Sequence, residues 1–374
     1  MRLKLWGLVG GCLLALAAGS ASAAPITAQV GAKSVRDDVY PRSSVAFPGG
    51  VTGQPGVEYA NLTGYRPLTL DLYRPKSDGN PKPLVVWVHG GGWNRGDART
   101  SGAFADWPRV LADLAARGFV VAAVDYRLSG EARFPAQIQD VKAAIRFLRA
   151  NAGRYGIDTG RVYAWGGSAG GHLAALAAVT CGVEAFAPTA STGRLSGAEA
   201  KLAKPPGGSD CVQGAVIWYG VFDLAAAAES LNVEQLLGCQ PFACPAKATQ
   251  ASPLTYAPRA DIPMLLMHGL ADTEVSPKQT EAMAAALKTG GASVETLFIP
   301  GVGHGWIGPD ATAIGSALRR SWQRATDVVT AVIVGAGVVI PVALLALVAL
   351  LAARWLLPVV RRRTSHAIET TAAE

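Results

Sequence analysis

Residues 162–173 read VYAWGGSAGGHL, and this stretch decides the fold class. Its first four residues are apolar or aromatic, as in a short buried strand, and Gly171-His172-Leu173 opens a predicted helix. Between them, Gly166-Gly167-Ser168-Ala169-Gly170 has the G-x-S-x-G spacing that places a serine on a sharp strand-to-helix turn. Glycines two residues to either side allow the strand and the helix to approach closely. Ser168 is therefore the candidate nucleophile.

A second glycine loop supports this interpretation. The G-x-S-x-G spacing alone is a weak signal, because glycine-rich turns that contain a serine are common. However, His89-Gly90-Gly91-Gly92-Trp93 follows another buried run at residues 84–88. Its glycines leave the backbone free to direct N–H groups at a developing oxyanion. The alternative interpretation is that the glycines are present only because the loop requires positive φ angles. Two such loops after two predicted strands favour catalysis.

Strand and helix patterns alternate along the chain around these loops. Apolar or alternating runs predict strands at residues 69–73, 84–88, 119–124, 162–165, 215–219, 263–267 and 294–299. Helical periodicity marks residues 104–117 and 138–148, and Ser276-Pro277-Lys278-Gln279 is a capping box that opens another helix. The alternation predicts an α/β fold with a mostly parallel central sheet and helices on both faces.

Several stretches have a special place in this pattern. Residues 48–56 are rich in glycine and proline and are predicted to be irregular coil. Residues 69–73 precede Pro75 and are predicted to form an edge strand. Residues 181–214 and 222–260 are rich in small residues, and each carries two cysteines. They form either a cap over a site at the C-terminal side of the sheet or surface loops held by disulfides.

His304 is the candidate general base. A serine hydroxyl is a poor nucleophile at neutral pH and needs a base within reach, itself oriented by a carboxylate. His304 lies in a glycine-rich loop after the strand at residues 294–299, last in the order serine, acid, histidine. The other histidines have other predicted places: His89 in the oxyanion loop, His172 packed or hydrogen-bonded in the helix after Ser168, His268 at a strand end and His366 in the tail.

Asp272 is the candidate acid, and Glu274 is its rival. Both follow the strand at residues 263–267 and precede His304. Asp272 comes sooner after the strand end, where the carboxylate loop is expected, whereas Glu274 could be a first-turn charge ahead of the helix after Pro277. Asp272 is therefore preferred, although either acid type can serve.

These residues together resemble secreted α/β-hydrolases of the carboxylesterase type. The similarity is to the group that contains hormone-sensitive-lipase-like esterases, bacterial feruloyl-esterase-like domains and kynurenine formamidases. It is carried by the two glycine loops, Asp272, Gly303-His304-Gly305, and residues 125–129 (DYRLS), 140–149 (DVKAAIRFLR) and 251–256 (ASPLTY). The resemblance spans residues 69–308 in order and implies an α/β-hydrolase fold.

The resemblance also implies the roles of the site residues. Ser168, Asp272 and His304 would form a catalytic triad, and the backbone N–H groups of Gly91, Gly92 and Ala169 would form the oxyanion hole. The residue before the serine is Gly167, where hormone-sensitive-lipase-like proteins often have an acidic residue. This difference favours the feruloyl-esterase-like and formamidase-like side of the group.

The ends of the chain predict export and membrane anchoring. Residues 1–23 have the basic start, apolar middle and Ala-Ser-Ala end of a signal peptide. Residues 328–353 contain no charged residue and are long enough for a transmembrane helix of about 20 residues or more. An N-terminal segment (24–67) and a catalytic domain (68–326) lie between them, and residues 354–374 form a basic tail that the positive-inside rule places in the cytoplasm. The catalytic domain is therefore expected on the extracytoplasmic side.

The cysteines fit an oxidising compartment. Cys12 would leave with the signal peptide, with a lipoprotein cleavage box as a minority interpretation, and an even set of four remains. Four cysteines allow three pairings. The favoured pairing joins Cys181 to Cys211 and Cys239 to Cys244.

Composition excludes several classes of protein and function. The chain has 374 residues, of which 50% are hydrophobic and 16% charged, which excludes disordered and collagen-like classes. Its pI of 9.2 does not indicate a nucleic-acid partner, because much of the net charge of +7 lies at the two ends and no basic stripe occurs between them. No metal or other cofactor is implied, since H-E-x-x-H and zinc-type cysteine spacings are missing from the sequence.

The expected function is a serine esterase that cleaves small-molecule carboxylic esters through an acyl-enzyme. Two alternatives stay open. A kynurenine-formamidase-like amidase would use the same triad, although export argues against it. A catalytically silent α/β-hydrolase that serves as a binding module would not need every triad member and both glycine loops. Acyl and alcohol preferences are left open.

Overall fold

The computed structural model describes residues 43–195, 207–227 and 230–307, which form a nine-stranded sheet with helices on both faces. Strands β1 to β9 are Val45–Phe47, Val51–Ala60, Leu68–Arg74, Lys82–Val88, Val120–Val124, Ile157–Gly167, Gly214–Trp218, Met264–Gly269 and Val294–Ile299. Helices α1 to α7 are Trp107–Ala115, Ala136–Ala150, Ala152–Tyr155, Ala169–Val179, Leu231–Leu237, Pro245–Ala251 and Lys278–Thr289. All seven predicted strands are present; β9 has the predicted ends, and the other six differ at one or both ends.

The sheet is mixed, and its order is β1-β2-β3-β5-β4-β6-β7-β8-β9. The pairs β1–β2, β2–β3 and β3–β5 are antiparallel, and every pair from β5 to β9 is parallel. The parallel strands β4, β6, β8 and β9 all end at the same edge of the sheet, because parallel strands share a direction. The loops after these four strands therefore meet, and they carry the candidate site residues.

Two local predictions at the start of the sheet are wrong. Residues 48–56 are not irregular coil, because strand β2 begins at Val51. A register shift between Gln54 and Val57 accommodates Pro55-Gly56 within the strand, and Gly56 has a φ of 66°. Strand β3 is not at an edge either, since it pairs with β2 on one side and β5 on the other. Pro75 interrupts nothing because β3 ends at Arg74.

The two faces of the sheet pack different cores. In β4, Leu84, Val86 and Val88 join a cluster with helices α2, α4 and α7, whereas Val85 and Trp87 face a second cluster with α1. This alternation is the period of two that strands impose on side chains. The second cluster contains five buried indoles, those of Trp87, Trp107, Trp165, Trp218 and Trp306. Trp306 belongs to the loop that follows β9, and its ring packs against those of Trp218 and Tyr219.

The α1 and α2 regions show how helix ends and buried charges fix this packing. Helix α1 begins after Asp106, whose side chain accepts the N–H of Arg109, and Pro108 occupies its first turn. Helix α2 carries Lys142, whose ammonium donates to the carboxylate of Asp210 and to the carbonyl of Thr180. The buried Lys142–Asp210 pair ties the insertion that contains Asp210 to α2.

Both insertions carry a disulfide. Cys181 pairs with Cys211, and Cys239 pairs with Cys244. These are the two pairs that the sequence favours. Part of the second insertion, helix α5, forms a wall of the cavity described below. That stretch therefore acts as a cap, one of the two interpretations left open by the sequence.

The expected fold included a C-terminal transmembrane helix, and this part of the prediction is corrected. Among the residues that the structure describes, no helix is long and apolar enough to cross a membrane. The longest of these helices, α2, has 15 residues, and a bilayer requires about 20. Residues 328–353, like the predicted signal peptide (1–23) and basic tail (354–374), lie outside the described residues.

Candidate active site

Ser168 occupies the turn between β6 and α4. Its φ of 56° and ψ of −124° lie in a region that side-chain-bearing residues rarely adopt, so the surrounding structure must hold it there. The glycines permit the turn by their lack of a side chain. A Cβ on Gly166 would lie 2.3 Å from the carbonyl oxygen of Gly170, and a Cβ on Gly170 would lie 2.0 Å from that of Val88. This local strain exposes the Ser168 hydroxyl at the sheet edge.

The loops after β8 and β9 bring an acid and an imidazole to this serine. Nε2 of His304 lies 2.8 Å from Oγ of Ser168, and Nδ1 of the same ring lies 2.8 Å from Oδ2 of Asp272. An ionised carboxylate can accept hydrogen bonds but cannot donate them, so Nδ1 of His304 carries the proton. Nε2 of the neutral ring then accepts the hydrogen bond from the serine hydroxyl. The structure thus joins the three predicted residues in one hydrogen-bonded line.

The Asp272 carboxylate is enclosed and fully hydrogen-bonded. Oδ1 accepts the backbone N–H groups of Glu274 and Val275, both at 2.9 Å. Oδ2 accepts His304 and also lies 3.2 Å from Nε2 of His268. Burial raises the pKa of Asp272, but the hydrogen bonds from His268, His304 and Val275 outweigh it and hold that pKa well below its usual range. The carboxylate is therefore ionised at neutral pH.

Glu274, the rival acid, takes a different position. Its Oε2 lies 3.9 Å from Nε2 of His304, on the side of the ring that faces Ser168. Its side chain is 71% exposed, whereas that of Asp272 is 0% exposed. An exposed carboxylate on the serine side cannot orient the ring through Nδ1. The geometry therefore distinguishes the two acids, in the direction that the sequence preferred.

The glycine loop after β4 lies against the serine turn. Gly91, Gly92 and Trp93 have φ values of 105°, 59° and 59°, which explains why two of these positions are glycines. A Cβ on Gly90 would lie 2.9 Å from the carbonyl oxygen of Gly167. Ala169 is the first residue of α4, where backbone N–H groups lack intrahelical acceptors. The candidate oxyanion donors therefore border the same space as Ser168.

That space is an open cavity of about 750 Å³. It is lined by Ser168, His304, the glycine loop and residues of α5 and the β8–α7 loop. Arg95 and Glu274 bring charge to its wall, and the amide of Asn232 faces the glycine loop at Gly92. Asn94 donates to the Oδ1 of Asn232 at 2.9 Å and thereby orients that amide. The cavity can hold a small ester whose substituents carry polar groups.

Two of the remaining histidines, His89 and His172, form hydrogen bonds that hold the loops and helices around the site. His172 accepts the indole N–H of Trp93 and donates to the carbonyl of Ala251, as the sequence suggested for a helix histidine. His89 donates to the carbonyl of Gly90 and stacks on Tyr126. Burial lowers the pKa of both His89 and His172 from the ordinary 6.5 to about 4. Both are neutral at pH 7 and orient the loops around the site.

The part of the chain that the structure describes contains no cluster of three or more His, Cys, Asp or Glu side chains arranged for a metal ion.

Comparison with known proteins identifies the family. The family model described as BD-FAE matches residues 70–287, which include Ser168 and Asp272. The chain belongs to the BD-FAE family. The Mycobacterium tuberculosis esterase LipC is 31% identical to this BD-FAE chain over 272 residues, which cover 67% of this chain and 62% of LipC. The chain spans between 48% and 62% of the length of the first three curated relatives that it matches.

Solved structures show the same fold for this BD-FAE member. A truncated carbohydrate esterase from gut microbiota shares 31% identity with a TM-score of 0.56, covering 68% of this chain and 89% of that one. An esterase from Thermogutta terrifontis superposes with a TM-score of 0.57 at 24% identity, over 75% of this chain and 93% of that one. The predicted resemblance to α/β-hydrolase carboxylesterases is confirmed.

Three residues of this BD-FAE site were not predicted from the sequence. Tyr219 follows β7 with a φ of 36°, and its ring packs on those of His304 and Trp306, each at 4.8 Å. His268 contacts Asp272, and Asn232 reaches the cavity from α5. Only His268 offered a signal, because it ends a strand four residues before the candidate acid. Tyr219 and Asn232 depend on chain packing that no local motif reveals.

Proposed function

We propose that this chain is a serine hydrolase that cleaves carboxylic esters through an acyl-enzyme. The observation that carries the proposal is the hydrogen-bonded line from Asp272 through His304 to Ser168, which opens into a cavity. The names of the relatives, an esterase and a carbohydrate esterase, support ester hydrolysis as the reaction. The chain spans less than two thirds of LipC, so the activity of the relatives supports this proposal without deciding it.

In the first half of the reaction, the Ser168 hydroxyl attacks the ester carbonyl carbon. His304 takes the hydroxyl proton on Nε2, and Asp272 stabilises the resulting imidazolium through Nδ1. The tetrahedral intermediate collapses when the bond to the alcohol oxygen breaks. His304 returns its proton to that oxygen, and the alcohol leaves an acyl group on Ser168.

The second half releases the acid. A water molecule replaces the alcohol, and His304 accepts a proton from it as it attacks the acyl carbon. The second tetrahedral intermediate expels the Ser168 oxygen, which recovers its proton from His304. The carboxylic acid leaves, and the site returns to its starting protonation state.

The backbone N–H groups of Gly91, Gly92 and Ala169 are the proposed oxyanion donors. Charge develops on the carbonyl oxygen in both tetrahedral intermediates, and preorganised N–H groups stabilise it without rearrangement. The N-terminus of α4 adds its positive dipole end at the same place. Loss of one such donor typically lowers kcat by about 10²–10³.

The experiment compares the wild type with Ser168→Ala on p-nitrophenyl esters of increasing chain length, feruloyl esters and N-formylkynurenine. Ser77→Ala is the matched control, because it makes the same substitution at an exposed serine outside the site. We expect ester turnover by the wild type and by Ser77→Ala and its loss in Ser168→Ala. Equal turnover by Ser168→Ala would refute the proposal, and a preference for the formamide would favour the amidase alternative.

We also propose that the domain works in an oxidising, extracytoplasmic compartment. The two disulfides support this, because such bonds persist mainly outside the cytoplasm. Thiol alkylation and mass spectrometry of protein taken directly from its native host would test it. We expect the four cysteines of the folded domain to resist alkylation because they are joined in two disulfides. Alkylation of all four as free thiols would contradict the proposal.

A further inference from the structure

The Asp272 carboxylate receives two imidazoles on one oxygen. Oδ2 lies 2.8 Å from Nδ1 of His304 and 3.2 Å from Nε2 of His268. The side chains of Asp272 and His268 are both 0% exposed, so water does not compete for this oxygen. The mechanism above uses His304 and leaves the second buried imidazole without a role.

The surroundings of His268 determine which of its nitrogens carries a proton. Nε2 faces the carbonyl oxygen of Val275 at 2.8 Å as well as the Asp272 carboxylate. Both of these groups only accept, so Nε2 carries the hydrogen. Nδ1 lies 2.7 Å from Oγ1 of Thr280 in α7, whose hydroxyl can donate to it. A neutral His268 therefore satisfies every contact with one tautomer.

We propose that His268 is a positioning residue for the proposed catalytic pair, and that its Nε2–H, held in place by Thr280, fixes the Asp272 oxygen that orients His304. This inference rests on the proposed function. It makes Thr280, His268, Asp272 and His304 one line of hydrogen bonds from helix α7 to the reacting serine.

The physical effect follows from the four donors around Asp272. An ionised carboxylate has about four acceptor positions, and here two backbone N–H groups and two imidazoles occupy them. With all positions filled the carboxylate cannot rotate, and its charge is shared among the donors. Without His268, Oδ2 carries more charge toward His304 and the group gains freedom to turn. His304 then becomes more basic and less well aligned with Ser168.

Other charged or titratable groups also face this line. Glu274 lies 3.9 Å from Nε2 of His304, and the phenol of Tyr219 lies against the His304 ring. Burial raises the pKa of Tyr219, so it stays neutral through the pH range of the assay. Both groups are unchanged in the variants below, and a shift in the pH profile can be assigned to His268.

The experiment measures kcat, KM and the acidic limb of the pH profile with p-nitrophenyl acetate. In His268→Leu we expect kcat to fall about tenfold or more through misalignment, with KM within about twofold. The acidic limb should move to higher pH. His268→Gln, whose side-chain amide can donate to Asp272, should recover much of kcat.

Thr280→Val provides a second route if His268→Leu fails to fold. This substitution removes one hydroxyl and nearly preserves the shape of the side chain. Thr280 lines neither the cavity nor the triad, so any loss of kcat in this variant would be transmitted through His268. Thr289→Val in the same helix is the matched control, because its hydroxyl donates to the carbonyl of Ala285 within the helix and lies away from His268 in the sequence. Wild-type kcat and an unmoved acidic limb in folded Thr280→Val, together with failed rescue in His268→Gln, would overturn the inference.

Proton NMR gives a readout that does not depend on turnover. The hydrogen-bonded Nδ1–H of His304 should give a far-downfield signal that disappears in His304→Ala. The inference predicts that this signal shifts or broadens in Thr280→Val and stays in place in Thr289→Val. An unmoved signal in Thr280→Val would overturn the inference even if wild-type protein hydrolysed no ester. Absence of ester hydrolysis would refute the proposed function alone.

Discussion

Nδ1 of His304 lies 2.8 Å from Oδ2 of Asp272, while the nearest oxygen of Glu274 lies 3.9 Å from the opposite nitrogen of the same ring. The buried carboxylate thus holds the tautomer in which Nε2 is free to accept the Ser168 proton. The exposed carboxylate lies on the serine side and shares no hydrogen bond with the ring.

We therefore predict opposite outcomes for the two acids. Asp272→Asn should lower kcat by about 10³–10⁴ with the fold intact, because the amide favours the wrong tautomer of His304. Glu274→Gln should leave kcat within a few fold. Steady-state kinetics on one p-nitrophenyl ester, with circular dichroism as a folding check, measures both. A larger loss in Glu274→Gln than in Asp272→Asn would reverse the assignment.

The glycine loop supplies a second prediction. Gly91 has a φ of 105°, and a Cβ there would lie 2.3 Å from the carbonyl oxygen of Arg95. The loop must shift to accommodate Gly91→Ala, which would displace the proposed oxyanion donors and lower kcat by about 10²-fold.

Gly182→Ala is the matched control for this loop. Gly182 also has a positive φ, 70°, but a Cβ there meets nothing within 4 Å. Both variants carry the strain of an alanine at positive φ, about 1 kcal/mol or more. Thermal unfolding should show some destabilisation in each, and only Gly91→Ala should lose activity. Full activity in Gly91→Ala would show that the loop does not bind the oxyanion.

Stability should fall in mild acid because of two buried histidines. The pKa of His89 and of His172 is lowered to about 4, whereas both titrate near 6.5 in the unfolded chain. Between about pH 6.5 and 4 the unfolded state binds protons that the folded state excludes. The free energy of unfolding therefore falls with pH in this window, by up to about 1.4 kcal/mol per pH unit for each histidine.

Urea unfolding at pH 5, 5.5, 6 and 6.5 measures this dependence. His172→Gln removes one of the two titrating groups and should roughly halve the slope over this range. Above pH 7 both histidines are neutral in the folded and the unfolded states, so they add no pH dependence to the free energy of unfolding of either protein. A slope in His172→Gln equal to that of the wild type would show that this imidazole is not the acid-sensitive group.

The buried ion pair between α2 and the first insertion is a stability prediction. Asp210 is buried with the Lys142 ammonium at 3.0 Å. Asp210→Asn leaves a buried cation without its counter-charge, and we expect a loss of about 3–5 kcal/mol in the free energy of unfolding. Asp78→Asn, which removes the exposed partner of Lys82, is the control and should leave the urea midpoint unchanged. Equal midpoints for Asp210→Asn and the wild type would contradict this account.

Much of the fold and most of the candidate site followed from local patterns. Ser168 and His304 could be predicted because each lies in a short glycine-rich loop after a stretch with a strand pattern. Strand β2 could not, because Pro55-Gly56 obscured a strand that tolerates them through a register shift. Tyr219 and Asn232 were missed for a different reason. They join the site through the packing of β7 and α5, which pairs residues far apart in sequence.

The two acids after β8 show the limit of local sequence patterns. Two residues of spacing separate a buried carboxylate, Asp272, from an exposed one, Glu274. The difference in burial depends on how the loop packs, which the sequence alone does not give.

The central claim is that Ser168 is acylated by an ester substrate. The most direct measurement is intact-protein mass spectrometry after brief exposure to p-nitrophenyl acetate near neutral pH and a rapid acid quench, followed by peptide mapping. The account predicts one added acetyl group on the peptide that contains Ser168 in the wild type and none in Ser168→Ala. An acetyl group on another residue, or ester hydrolysis that persists in Ser168→Ala, would contradict it.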